Sequence, residues 1–202
     1  MTSNPLSRRT LLATGAAAGL VAALPLSAVA LTEPRARDLI DKVVEDINRV
    51  INSSKSQSAM INEFERIFGR YADVNIIARS TLGADSRRAS AAQMRTFTDA
   101  FEGYIARKYG KRFREFIGGM IEVKGVRQVK SWHEVRAQVV LRGSSPFEVL
   151  FLVSDRSGRD LFFDLVIEGV SLRLSERTEI GSMLDRNGGS IDGLINDLRR
   201  AG

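Results

Sequence analysis

Apolar positions recur along this chain with two different periods, and the switch between them divides it into halves. Leu39, Ile40, Val43, Val44, Ile47, Val50 and Ile51 fall at helical spacing. Thr32-Glu33-Pro34 marks the start of that helix, because proline in a first turn gives up no intrahelical hydrogen bond. The polar stretch SSKSQS interrupts the pattern, and a second helix carries Met60, Ile61, Phe64, Ile67, Phe68 and Tyr71. A short third helix, capped by Asp73 and ended near Gly83, holds Val74, Ile77, Ala78 and Leu82. Ser90 and Gln93 make a capping-box pattern. It opens a long helix with Met94, Phe97, Phe101, Tyr104, Ile105 and Tyr109, closed at Gly110. A helical turn at 113–117 follows, and Gly118-Gly119 breaks it.

The period then drops to two. Residues 120–129, 133–142, 147–154 and 160–172 read as four strands separated by turns. On the second, Val135, Ala137, Val139 and Leu141 share one face, while Glu134, Arg136, Gln138 and Arg142 take the other. Phe147, Val149, Phe151 and Val153 continue the apolar face, and Leu161, Phe163, Leu165 and Ile167 extend it to the fourth strand. Two further helices, about 176–186 and 190–200, are separated by Asn187-Gly188-Gly189. Helices followed by consecutive, shortly connected strands predict an α+β domain. The expected form is a four-stranded, curved antiparallel sheet with a helical layer on one face.

The first residues read as an address, not as fold. Ser7-Arg8-Arg9-Thr10-Leu11-Leu12 is a twin-arginine pattern, an apolar run follows to Leu26, and Ala28-Val29-Ala30 offers small residues for a signal peptidase. The reading is a signal over residues 1–30, cleaved after Ala30, and one domain over 31–202. Twin-arginine export implies a bacterial chain delivered folded to the periplasm or beyond. The remaining chain, about 172 residues, is long enough for one sizeable core.

Charge and chemistry narrow the function. Lys and Arg number 30 against 24 Asp and Glu, for a net charge of +6. Removing Arg8 and Arg9 leaves +4, a modest and mixed balance that fits nucleic acid poorly and leaves anionic surfaces possible. The chain has no Cys and a single His, His133, which excludes disulfides, thiolate chemistry and a multi-histidine zinc site. His133 reads as a surface or rim residue beside a turn. Asp160, Asp164 and Glu168 lie on one strand, but strand residues four apart are roughly 13 Å apart, too far for a carboxylate dyad. Their parity places them away from the apolar face, solvated or ion-paired. No phosphate-binding loop or dinucleotide fingerprint occurs. The cluster Arg107, Lys108, Lys111, Arg112 and Arg114 reads either as a solvated helix end or as a rim for anionic groups.

Four stretches, in order, resemble the MlaC family of periplasmic phospholipid-binding, toluene-tolerance-type transport auxiliary proteins. They are ADVNIIARSTLG (72–83), ASAAQMRTFTDAFEGYIARKYG (89–110), FFDLVIEGVSL (162–172) and the following SERTEIGSML…IDGLINDL. The likeness runs over roughly residues 33–200. One departure is that family members often carry a Trp soon after the Leu-Gly, whereas Gly83 to Arg88 contains no aromatic residue. The resemblance implies a cone akin to the nuclear-transport-factor-like fold, with a deep apolar cavity between sheet and helices. Acyl chains would lie in the cavity and the head group near solvent. It implies phospholipid as cargo, no cofactor, no catalysis and no metal. The partners it implies are an inner-membrane ABC transporter complex with its MCE-domain protein and an outer-membrane lipoprotein–porin complex, together maintaining outer-membrane lipid asymmetry.

On this reading the cavity is lined by Ile77, Met94, Phe97, Phe101, Tyr104, Val135, Val139, Leu141, Val149, Phe151, Leu161, Phe163, Leu165 and Ile167. Arg107, Lys108, Lys111 and Arg112 form a rim for head group or partner. Periodicity alone leaves open whether the space between sheet and long helix is a cavity or a filled core. The rival readings are a cone-fold enzyme or binder for a small apolar ligand, and an adaptor with a solid interior.

Overall fold

The computed structural model describes residues 30–202. The export signal read from residues 1–30 lies outside the described residues, apart from Ala30. The elements run α1 (Glu33–Ile51), α2 (Gln57–Tyr71), α3 (Val74–Leu82), α4 (Ala91–Gly110), β1 (Met120–Val129), β2 (Trp132–Val140), β3 (Phe147–Ser154), β4 (Leu161–Ile167), β5 (Val170–Ser171), α5 (Leu172–Arg186) and α6 (Ile191–Arg200). Short 3-10 turns follow α3 (Gly83–Arg87) and α4 (Lys111–Phe116). The fold is α+β, with a curved, unclosed antiparallel sheet packed on helices.

Local chemistry fixes the helix starts. The Ser90 hydroxyl accepts from Gln93 N, and the Gln93 side chain accepts from Ser90 N, completing the expected capping box of α4. Asp73 accepts from Ile76 N at the start of α3. Gly110 closes α4 where the Cα of Ile61 would stand 3.1 Å from any added Cβ, so the absent side chain lets α2 and α4 cross closely.

The sheet order is β1-β2-β3-β4-β5, all neighbours antiparallel. It has five strands, not four. The expected strand 160–172 is split because Glu168 (φ 48) and Gly169 (φ 83) form a two-residue turn with both φ positive. The chain then reverses, Val170 pairs with Ile167, and α5 begins at Leu172, earlier than expected. A second irregularity lies between Leu152 and Val153, where the register with β4 shifts. Phe162 pairs with Val153 and Leu165 with Phe151, leaving Phe163 as an extra residue on the outer face.

The free edge of β1 is covered. The Asn48 amide on α1 donates to Ile121 O at 3.0 Å, and Ile121 N donates to Asn48 Oδ1 at 3.1 Å. Such pairing satisfies an edge that would otherwise present open backbone groups. α1 lies against the sheet, while α4 packs on α2, α3 and α6. Phe97 and Phe101 on α4 are fully buried in that helical layer.

Candidate functional site

Between the sheet's inner face and the helices is a cavity of about 130 Å³. Its wall is built from Val43 and Ile47 of α1, Phe64, Ile67 and Phe68 of α2, Ile105 of α4, and Phe113 and Phe116 of the 3-10 turn. The sheet contributes Ile121, Val139, Phe147, Val149, Phe151, Phe162, Leu165 and Ile167, and α5 contributes Leu172. Every one of these side chains is apolar. The rings interlock edge to face: Phe64 on Phe113 at 5.0 Å and Phe151 on Phe162 at 5.7 Å between centroids. An apolar hollow of ~150 Å³ stays dry and accepts a benzene-sized guest, so this one offers a home for a short piece of hydrocarbon.

The cavity has a closed end and a mouth. Val43, Ile105, Phe151 and Phe162 are buried, whereas Phe116, Phe147, Leu165, Ile167 and Leu172 are only half-buried. The half-buried residues gather where β2 ends, β3 begins, β4 ends and α5 starts. That end of the molecule is the mouth.

A buried polar network stands one helical turn from the cavity wall. Glu176, one turn beyond Leu172 on α5, is fully buried. Its Oε1 accepts from Lys108 Nζ at 2.8 Å and from Tyr109 OH at 2.5 Å, and Lys108 also donates to Tyr104 OH at 2.8 Å. Burial and the hydrogen bond to Glu176 hold the Tyr109 hydroxyl protonated far above its ordinary range. Burial alone would lower Lys108, but its bonds to Glu176 and Tyr104 outweigh that and raise it. The network fastens α4 to α5 with charge-assisted bonds.

A second buried acid pins the start of α5. Asp164 Oδ1 accepts from Leu165 N at 2.8 Å and Arg173 N at 3.0 Å, and Oδ2 accepts from Ser171 OH at 2.6 Å. Arg173 adds an ion pair at 3.5 Å and lays its guanidinium over the Phe163 ring. The carboxylate faces away from the cavity, as its parity predicts. It is buried, however, and the Arg173 N–H at the N-terminus of α5 donates to it.

The structure gathers some of the expected lining residues and not others. Val139, Val149, Phe151, Leu165 and Ile167 lie on the cavity wall. Ile77, Met94, Phe97, Phe101, Tyr104 and Val135 are buried in the core outside that wall. Leu141 lies just past the end of β2 and is half-buried, and Leu161 is buried. Phe163 is a correction: the β4 bulge turns it outward against Trp132, and Phe162 takes the inner position. His133 is a second correction, since it is buried on the inner face of β2 at the closed end. The roof comes from α1 and α2, with Ile105 the α4 residue on the wall. Sequence marked Phe64, Ile67 and Phe68 as an apolar helix face, but nothing in it showed that this face borders unfilled space.

The expected rim cations are engaged within the chain. Arg107 donates to Ala201 O and Leu198 O, Lys111 to Gly202 O, and Arg112 lies 3.5 Å from Glu115. Lys108 serves the Glu176 network. Among the described residues no group of His, Asp and Glu is arranged to hold a metal ion.

A curved sheet, helices on one face and a wholly apolar hollow between them define an α+β protein of the cavity-bearing class. The family model described as MlaC protein matches residues 37–200, and the chain belongs to that family. Among solved structures, it is similar to a phospholipid-binding protein from Ralstonia solanacearum determined in complex with a phospholipid. The TM-score is 0.70 at 17% identity, covering 82% of this chain and 95% of that one. No curated protein matches the chain.

Proposed function

We propose that this protein is a periplasmic phospholipid carrier. It shelters acyl chains in the cavity and passes lipid between an outer-membrane lipoprotein–porin complex and an inner-membrane ABC transporter complex with an MCE-domain protein, maintaining outer-membrane lipid asymmetry. The observation that carries the reading is the cavity wall, apolar throughout, in a chain of the MlaC family. The phospholipid held by the Ralstonia solanacearum protein of similar fold supports it. No helix among the described residues is long and apolar enough to cross a membrane, as a carrier moving through water requires. A catalytic reading would need an acid or base on the wall, and none of the lining residues is one.

Energetics define the task. Burying methylene groups gains about 0.8 kcal/mol each, so two chains of about 14 buried methylenes gain roughly 20 kcal/mol gross. A bilayer already supplies that gain. The carrier therefore removes the cost of crossing water, and its partners set the direction. At about 130 Å³ the cavity as it stands holds a fragment of one chain. Loading thus requires sheet and helices to part at the half-buried mouth, where the least packing is lost.

The test is extraction of the purified protein with organic solvent and mass spectrometry of the extract. Near-stoichiometric phospholipid is expected. Its absence, together with failure to take lipid from vesicles, would falsify the proposal.

A further inference from the structure

We propose that the mouth end of this molecule touches an anionic bilayer surface with its own rim while it exchanges lipid. The inference rests on the carrier reading, because it concerns where the cavity opens. Its observation is separate: among the described residues the exposed large apolar side chains are Ile117, Met120, Val140, Val170 and Leu174, and all lie at one end.

Each of them lies within two residues of the cavity wall along the chain. Ile117 follows Phe116, Met120 precedes Ile121, and Val140 follows Val139, while Val170 and Leu174 flank Leu172. Met120 and Val140 are cross-strand partners on the outer lip. Leu174 and Val170, each about 60% exposed, stand across the mouth on the β5–α5 turn. Single exposed apolar residues need no explanation, but a set confined to the rim of an apolar cavity marks a contact surface.

Charge selects the occupant. Arg114 and Arg142 are exposed and carry no ion pair among the described residues. They bracket Ile117: Arg114 is one turn before it, and the Arg142 guanidinium lies over neighbouring Gly118. The acids nearby are Glu115, engaged with Arg112, Glu122, engaged with Lys124, Glu148, 3.7 Å from Arg136, and the exposed Glu168 of the β4–β5 turn. Apolar side chains beside unpaired guanidinium groups are the composition that lies at a lipid interface, the former among acyl carbons and the latter on phosphates. Seating here also gives a lipid a continuous apolar path from leaflet to cavity. A gap of water would expose its methylenes on the way.

The test is flotation of the purified protein with vesicles of phosphatidylcholine alone or mixed with phosphatidylglycerol. Flotation with the mixed vesicles is expected, with much less on phosphatidylcholine alone. Arg114→Gln and Arg142→Gln should each weaken association about fivefold on mixed vesicles. Ile117→Ser with Leu174→Ser should weaken it on either composition. These side chains are exposed, and an unchanged melting temperature confirms that the variants fold. Flotation indifferent to phosphatidylglycerol, or unaffected by either set of substitutions, overturns the inference. Absence of flotation while the solvent extract still contains phospholipid overturns it too and leaves the carrier reading standing; the rim would then serve a protein partner.

Discussion

Glu102 shows how one side chain can work against the fold that holds it. It lies on α4, its carboxyl packed over Gly69 of α2. Burial, then the nearby charges of Glu65 and Asp99, raise its carboxyl above the ordinary glutamate range. A raised acid favours the protonated folded state, so its contribution to stability is present at low pH. That contribution is lost as pH rises through the raised value. Glu102→Gln mimics the protonated form. It should therefore melt higher than wild type at neutral pH, by less than about 1 kcal/mol because the half-buried carboxyl is screened. The difference should close at acidic pH, below the ordinary glutamate range. Melting curves across pH check this, and a difference that does not vary with pH would refute the account. Residue-level reading from sequence succeeded where a rule is local, as at Ser90, Gln93 and Asp73. It failed at Phe163 and His133, whose surroundings are assembled from distant segments.

At the scale of elements, the β4–β5–α5 junction is the part that sequence periodicity misjudged. Alternation from Leu161 to Ile167 was legible, but a bulge adds one residue on β4 without changing the alternation of letters. The Glu168-Gly169 turn was hidden in the same run, because IEGV reads as readily as continuing strand. The junction is then fixed by Asp164, whose carboxylate ties β4 to the first turn of α5. Asp164→Ala removes that tie and leaves the Arg173 side chain short of its buried partner. A loss of about 3 kcal/mol is expected, read from urea unfolding. A variant as stable as wild type would show that Ser171 alone suffices as the cap.

For the whole molecule, the decisive quantity is the space left between layers. Helices α1 and α2 and the inner sheet face meet through aromatic side chains that touch without filling the volume. Val139→Trp or Leu165→Trp should occupy that volume. Each should cost modest stability, about 1–3 kcal/mol, and reduce the lipid recovered on extraction far more. Lipid per protein, measured beside the melting temperature, separates the two effects. Full loading in both folded variants would place the cargo elsewhere. Of the expected wall, the inner-face residues of β2 and β3 were legible because strand parity is rigid. The roof was not, since α4 and α2 both carry apolar residues at helical spacing and only packing decides which of them meets the sheet.

By itself the sequence determined the switch from helices to strands, the helix caps, the inner faces of the middle strands, and the resemblance that led to the MlaC family. These follow from interactions among residues a few positions apart, whose geometry the backbone dictates. Only the tertiary structure decided which helices roof the sheet, that Phe162 and not Phe163 turns inward, that Asp164 and Glu176 are buried fasteners of α5, and that a hollow remains. An unfilled volume belongs to no residue. It is what side chains from several elements fail to occupy together, so no pattern along the chain records it.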